Sequence, residues 1–249
     1  MLEVIYLTFN EGYAATAGGD WMRPGLCEDA LRLGRILAQL VPDKPEVHGL
    51  VALLEIQASR AGARTGPAGE PILLLEQDRG RWDQLLIRRG LHALDRAEEL
   101  ALRPEPQGGV IGSPGARGPY ALQAAIAACH ARAPRPAETD WARIAAIYDQ
   151  LAALSPSPVV ELNRAVAVAM AHGPAAGIVL LDALCAARSL AGYHLLPSVR
   201  GDLLYKLGRL EEARAEFARA AELTGNSRER DLLLIRAANA RASLGAREP

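Results

Sequence analysis

Four carboxylates stand in segments richer in polar and aromatic residues than packing alone requires. They are Glu11 in Phe9-Asn10-Glu11-Gly12-Tyr13, Asp78 in Glu76-Gln77-Asp78-Arg79, Asp140 beside Trp141, and Glu161 just ahead of Asn163 and Arg164. Carboxylates that converge on one surface can do acid–base work. The competing reading is structural: Glu11 and Asp78 cap helices or pair with Arg32, Arg79 or Arg164. An enzyme also needs an activated nucleophile, a base or a metal, and no such constellation is legible. His48, His92, His130, His172 and His194 are scattered, with no HExxH and no Cys/His pair at ligand spacing. His130 follows Cys129 directly, but adjacent helical residues diverge by about 100° and cannot easily share a metal. Cys27, Cys129 and Cys185 are far apart and read as small buried hydrophobes in a reducing compartment. The Gly-rich stretches 62–69 and 108–118 lack the GK[ST] ending of a phosphate loop. The expectation is a protein that is not an enzyme and takes no cofactor or metal.

Binding is the stronger reading of the same residues. Trp82 and Trp141 each open a predicted helix beside an aspartate, where an aromatic wedges helix pairs together or stacks on a ligand. Asn163 and Arg164 lie on an Ala/Val-rich helix, with Tyr120 and Gln123 one repeat earlier. In stacked helical pairs the first helices line a groove, where Asn and Arg can clamp a peptide backbone or carboxylate. Tyr120, Gln123, Asn163 and Arg164 are therefore a candidate surface for a peptide or another domain. Asn10, Glu11, Asp78 and Trp82 form a second candidate set, the pocket that a small-molecule sensor or hydrolase would use, and Tyr13, Arg32, Gln77 and Arg79 are further candidate binding residues.

The elements that must position these residues are helices. Half of the 249 residues are hydrophobic, but only 4% are aromatic, and Ala and Leu dominate over β-branched types. Such a composition loses little entropy in a helix and is poor in strand formers. Leu204 to Leu223, LYKLGRLEEARAEFARAAEL, reads as helix, Gly208 cap, helix, with Ala213, Phe217 and Ala220 on one face. Small residues there let a partner helix approach, and Phe217 fills the gap between pairs. Second-helix starts at Asp140, Pro174 and Arg209 are spaced 34 and 35 residues apart, the tetratricopeptide period. Thr139, Asp140 and Ser157 are candidate N-caps, and Gly173-Pro174 joins a cap to a first-turn proline.

Upstream, 26–41 and 45–63 read as helices joined by Pro42-Asp43-Lys44-Pro45-Glu46, with a first helix at about 2–15 and another at about 82–102. Residues 62–81 are too rich in Gly and Pro to continue the pattern. The expected fold is all-α, a tetratricopeptide-like solenoid of helical pairs with about 10–12 helices. It divides into an irregular part at 1–103, a flexible loop at 104–117 and a regular array with a capping helix at 118–249.

Charge narrows the function classes. With 28 basic and 29 acidic residues the chain presents no basic stripe for phosphates. It has neither a signal peptide nor an apolar run of membrane-spanning length, so a cytoplasmic protein with no membrane contact is expected.

Taken together, FNEGY, EQDRxxWD, GPYxLQAAIAAxH, TDWxxIAxxYDxL and SPVVELNRAVAVA resemble the C-terminal tetratricopeptide-like extension of one group of bacterial extracytoplasmic-function (ECF) sigma factors. The similarity runs in order from Leu2 to the last helix. The resemblance implies a regulatory protein–protein interaction domain of transcription initiation, taking the place of a separate anti-sigma protein. Its implied partners are sigma regions 2 and 4, RNA polymerase and a small YCII-like (DGPF) protein. Sigma regions 2 and 4 do not stand in this sequence, and neither does a helix-turn-helix, so no direct DNA contact is expected. The alternative is a free-standing tetratricopeptide scaffold.

Overall fold

The computed structural model describes residues 1–15, 22–67, 69–103 and 117–245. Among them stand eleven α-helices and no β-strand, so the protein is all-α and built of helical repeats. The described residues up to Asp140, apart from 69–71, form one compact unit, and those from Trp141 onward form a second. The division thus falls after the helix that begins at Pro119, not in the 104–117 segment; 104–116 lies outside the described residues.

The first unit holds α1 (Leu2–Tyr13), α2 (Pro24–Leu40), α3 (Pro45–Ala58), α4 (Gln84–Ala101) and α5 (Pro119–Arg132). Prolines open α2, α3 and α5, because the fixed φ suits the first helical turn and the missing N–H would be unpaired there anyway. α3 packs against α1, α2, α4 and α5. Being surrounded, it is apolar on nearly every side, with Val47, Leu50, Ala52, Leu53, Leu54 and Ile56 all buried. Ile5 and Phe9 of α1 and Cys27, Ala30 and Leu31 of α2 close over Leu50 and Leu54. Two single 3₁₀ turns, Ala61–Ala63 and Arg79–Arg81, bound the irregular segment that sequence marks as non-helical.

The second unit holds α6 (Trp141–Leu154), α7 (Pro158–His172), α8 (Pro174–Ala187), α9 (Leu195–Lys206), α10 (Leu210–Leu223) and α11 (Ser227–Gly245), each packed on the next. Gly173 alone joins α7 to α8, with φ +97, and Gly208 turns α9 into α10 with φ +75, a backbone region that L side chains rarely adopt. Ala213, Phe217 and Ala220 are buried together, as their spacing predicts, with Leu203, Leu204 and Leu233 around them. The Phe217 ring lies so close to α9 that a Cβ at Gly201 would come within 2.8 Å of it, and Arg236 of α11 stacks on the ring at 4.4 Å.

Gly173 ends α7 and leads into Pro174 as expected. Ser157 stands at the N-cap of α7 without a side-chain cap bond, and the hydroxyl of Thr139 accepts a hydrogen bond from Arg79. Side-chain caps come from Asp83, bound by the N–H groups of Leu85 and Leu86, and from Asn226, bound by those of Arg228 and Glu229. The N-terminus of α5 is capped from another helix: Glu46 of α3 accepts from Tyr120 N at 2.8 Å and Ala121 N at 3.2 Å. A Cβ at Gly118 would lie 2.2 Å from the Glu46 side chain, so only glycine admits this contact.

Close helix approach is the tightest constraint on sequence. A Cβ at Gly49 would stand 2.7 Å from the backbone nitrogen of Ala121, and one at Gly177 would stand 2.8 Å from the carbonyl of Ala165. Gly49→Ala and Gly177→Ala should each destabilise by about 1–3 kcal/mol, the usual cost of overpacking. Gly25→Ala, whose added methyl meets nothing within 4 Å, should be neutral or slightly stabilising. Urea denaturation of the three variants checks the contrast.

Candidate functional site

The first unit brings together part of the second candidate set around two guanidinium groups that sequence reasoning passed over. Arg60 and Arg64 follow α3, four residues apart, and Arg79 comes from the second 3₁₀ turn. Arg64 stacks on the Tyr13 ring at 3.4 Å, and Arg60 lies 5.6 Å from the same ring. Arg60 also lies 5.8 Å from the Trp82 ring, and Arg79 lies 5.1 Å from it. Tyr13 stacks in turn on Phe9 at 5.5 Å. Trp82 is buried with Ala63 and Ile87, so it wedges the unit rather than opening a helix; α4 starts at Gln84.

Arg60 and Arg79 are held by neutral groups. Arg60 donates to the Gln57 side-chain oxygen. Arg79 donates to the carbonyls of His130 at 2.8 Å and Ala133 at 2.5 Å, and to Thr139 Oγ1 at 3.0 Å. The first two acceptors lie at the C-terminal end of α5, where carbonyls lack helical partners and the helix dipole favours a positive charge. Neither Arg60 nor Arg79 forms an ion pair among the described residues. Desolvation therefore dominates: burial and the neighbouring Arg64 charge lower the pKa of Arg60, and burial and the Arg60 charge lower that of Arg79. Desolvated cation–π contacts of about 2 kcal/mol each offset part of that cost.

His130 and Cys27 complete the surroundings. Burial, then the charges of Arg60 and Arg79, push the His130 pKa down to about 4, so its imidazole is neutral at pH 7. Burial raises the Cys27 thiol to about 11 despite the nearby Arg64, which leaves it a thiol rather than a nucleophilic thiolate. The cluster therefore orients and stiffens. Arginine cannot take up or release protons at ordinary pH.

The remaining candidates divide between the units. Glu11 pairs with Arg23 at 3.0 Å, not with Arg32, Arg79 or Arg164. Asn10 lies half-buried on α1, and Arg32 pairs with Asp29 on the surface. Asp78 Oδ1 caps its own 3₁₀ turn through Gly80 N, and buried Gln77 donates to the Ile72 carbonyl at 3.1 Å. Tyr120 meets Tyr6 edge to face at 5.5 Å, and Tyr6 donates its hydroxyl to Gln123 at 2.9 Å. Asp140 is the exposed last residue of the first unit. In the second unit Trp141 opens α6, Asn163 is exposed, and Arg164 binds Asp149 at 2.6 Å and Glu161 at 3.0 Å. Arg164 is thus already satisfied by two carboxylates of its own unit. Among the described residues no group of three His, Cys, Asp or Glu side chains could hold a metal ion, and no helix is long and apolar enough to cross a membrane.

Residues 1–98, the stretch that carries Tyr13, Arg60, Arg64, Arg79 and Trp82, match a family of unknown function, DUF6596. The chain is also similar to an uncharacterized protein of Rhizobium meliloti (strain 1021), 45% identical over 226 residues. That match covers 91% of this chain and 50% of the relative, so the chain spans about half of the relative's length.

Two measurements probe the cluster. Arg79→Ala should cost about 2–4 kcal/mol, because three acceptors lose their donor in a buried setting. Arg79→Lys should recover little of it, since an ammonium lacks the guanidinium's planar fork; chemical denaturation reads both. The His130 prediction concerns pH. Below an unfolded value of 6.5 the unfolded chain takes up a proton that the folded chain refuses down to about 4. Stability should therefore fall by up to about 3 kcal/mol between those limits, by linkage. His130→Gln should flatten that part of the stability–pH profile, and an unchanged slope would reject the assignment.

Proposed function

We propose that this chain is a regulatory protein–protein interaction domain of a longer ECF-type sigma protein, contacting sigma regions 2 and 4 or RNA polymerase. A YCII-like (DGPF) protein is a further candidate partner. The observation that carries the interaction reading is apolar exposure on the first two helices. Val4 and Leu7 of α1 are 66% and 57% exposed, and Leu40 of α2 is 72% exposed, with Leu33 and Ile36 also open on that helix. Val4 and Leu7 share one face of α1 at i, i+3 spacing. Leu33, Ile36 and Leu40 share one face of α2 at i, i+3, i+7. Scattered exposed leucines need no explanation, but aligned rows of them suit a protein partner.

Two further facts support the sigma context. The motifs that resemble the sigma-factor extension run the length of the chain, and the Rhizobium meliloti relative has about as much sequence again outside the match. The arginine–aromatic cluster fits the same reading: it stiffens the unit that carries the two apolar rows and supplies no catalytic group.

The test is copurification of the chain with core RNA polymerase and with sigma regions 2 and 4 encoded in frame with it. The double variant Leu7→Glu, Leu40→Glu should keep its melting temperature and weaken capture by about tenfold or more, roughly 1.4 kcal/mol. Absence of in-frame sigma regions, or capture indifferent to both substitutions, would sink the proposal.

A further inference from the structure

α2, α3 and α4 enclose an open groove of about 800 Å³ within the first unit. Its floor is aliphatic, with Ala38 of α2 and Val51 of α3. Its rim is rich in N–H donors: the cations Arg35 from α2 and Arg88 and Arg89 from α4, with His48 from α3 and His92 from α4 beside them. The single carboxylate in the lining, Glu55, is buried and already held by Arg35 Nε at 2.7 Å. Glu55 thereby anchors one rim cation and cancels one charge. Arg88, Arg89 and His92 are exposed and take no partner among the described residues. On a chain of net charge −1, this is a local excess of unsatisfied positive charge over an apolar floor.

We infer that this groove docks an acidic amphipathic segment of a protein partner, its carboxylates on the Arg88/Arg89 rim and its apolar side chains against Val51 and Ala38. The inference deepens the interaction-domain reading and rests on it. Charge complementarity selects the occupant. Guanidinium groups bind carboxylates in forked pairs, and complementary rim charge raises the association rate and rejects basic partners. A volume near 800 Å³ lies within the range of sites that bury side chains. Nucleic acid fits less well, because phosphate backbones need a stripe of cations rather than one short rim around an aliphatic floor.

The probe is a fluorescein-labelled amphipathic peptide of Leu and Glu, titrated against the full chain by anisotropy. Controls are the same peptide with every Glu replaced by Gln or by Lys, and a labelled oligothymidylate. The Glu peptide should bind, the Gln peptide about tenfold more weakly, and the Lys peptide not measurably. Arg88→Glu with Arg89→Glu should weaken Glu-peptide binding at least tenfold at unchanged melting temperature, and the milder Arg88→Gln, Arg89→Gln pair should do so in part. Equal binding of the Glu and Gln peptides, or indifference to both pairs, overturns the inference. So does arginine-dependent capture of the oligothymidylate in place of the peptide. Peptide binding without sigma-region capture keeps the groove and removes the sigma context; the reverse keeps the context and removes the groove.

Discussion

Three guanidinium groups stacked on two aromatic rings are the interaction on which the first unit depends. A buried cation is expensive, and its usual remedy is a carboxylate within reach. For Arg60 and Arg79 the remedy is different: π faces of Tyr13 and Trp82, a side-chain amide, a hydroxyl and two helix-terminal carbonyls. Because these groups belong to α1, α3, α5 and the segments that follow α3 and α5, satisfying the charges also positions the elements. Arg79, in the turn just ahead of α4, therefore ties that turn to the end of α5.

The same use of arginine recurs in the second unit. Arg230 donates to the carbonyls of Ala221 and Thr224 at the end of α10. Arg200 links Asp182 of α8 to Glu216 of α10, and Arg236 joins Phe217 to Asp202. A core built largely of Ala and Leu packs helices closely but offers little that is directional. Polar ties at helix ends supply the direction, since terminal carbonyls are where a helix has acceptors to spare.

This division of labour bears on the proposed function. Arg79 and Glu46 are occupied with holding helices, His130 is neutral and Cys27 is a thiol. What the first unit presents outward is of two kinds: aligned apolar side chains on α1 and α2, and unpaired cations on α4. Both suit recognition of another protein, and a rigid interior leaves less backbone freedom to be lost on binding.

Much of the fold was legible from local pattern. Most helix positions, the first-turn prolines at 45, 158 and 174, the turns at Gly173 and Gly208, and the buried face of Ala213, Phe217 and Ala220 follow from spacing and residue type. The site was half legible. Tyr13, Arg79 and Trp82 stood out as too polar and aromatic for packing alone, whereas Arg60 and Arg64 look like an ordinary basic helix end facing water. Tertiary structure alone decided that those two are buried, that Glu46 caps a helix 74 residues away, that Arg23 rather than Arg32 neutralises Glu11, and that α5 joins the first unit. The reason is physical: period and propensity report what one segment does by itself. The partner of a buried charge is chosen by whichever distant group the packing brings within about 3 Å, and local spacing carries no record of that.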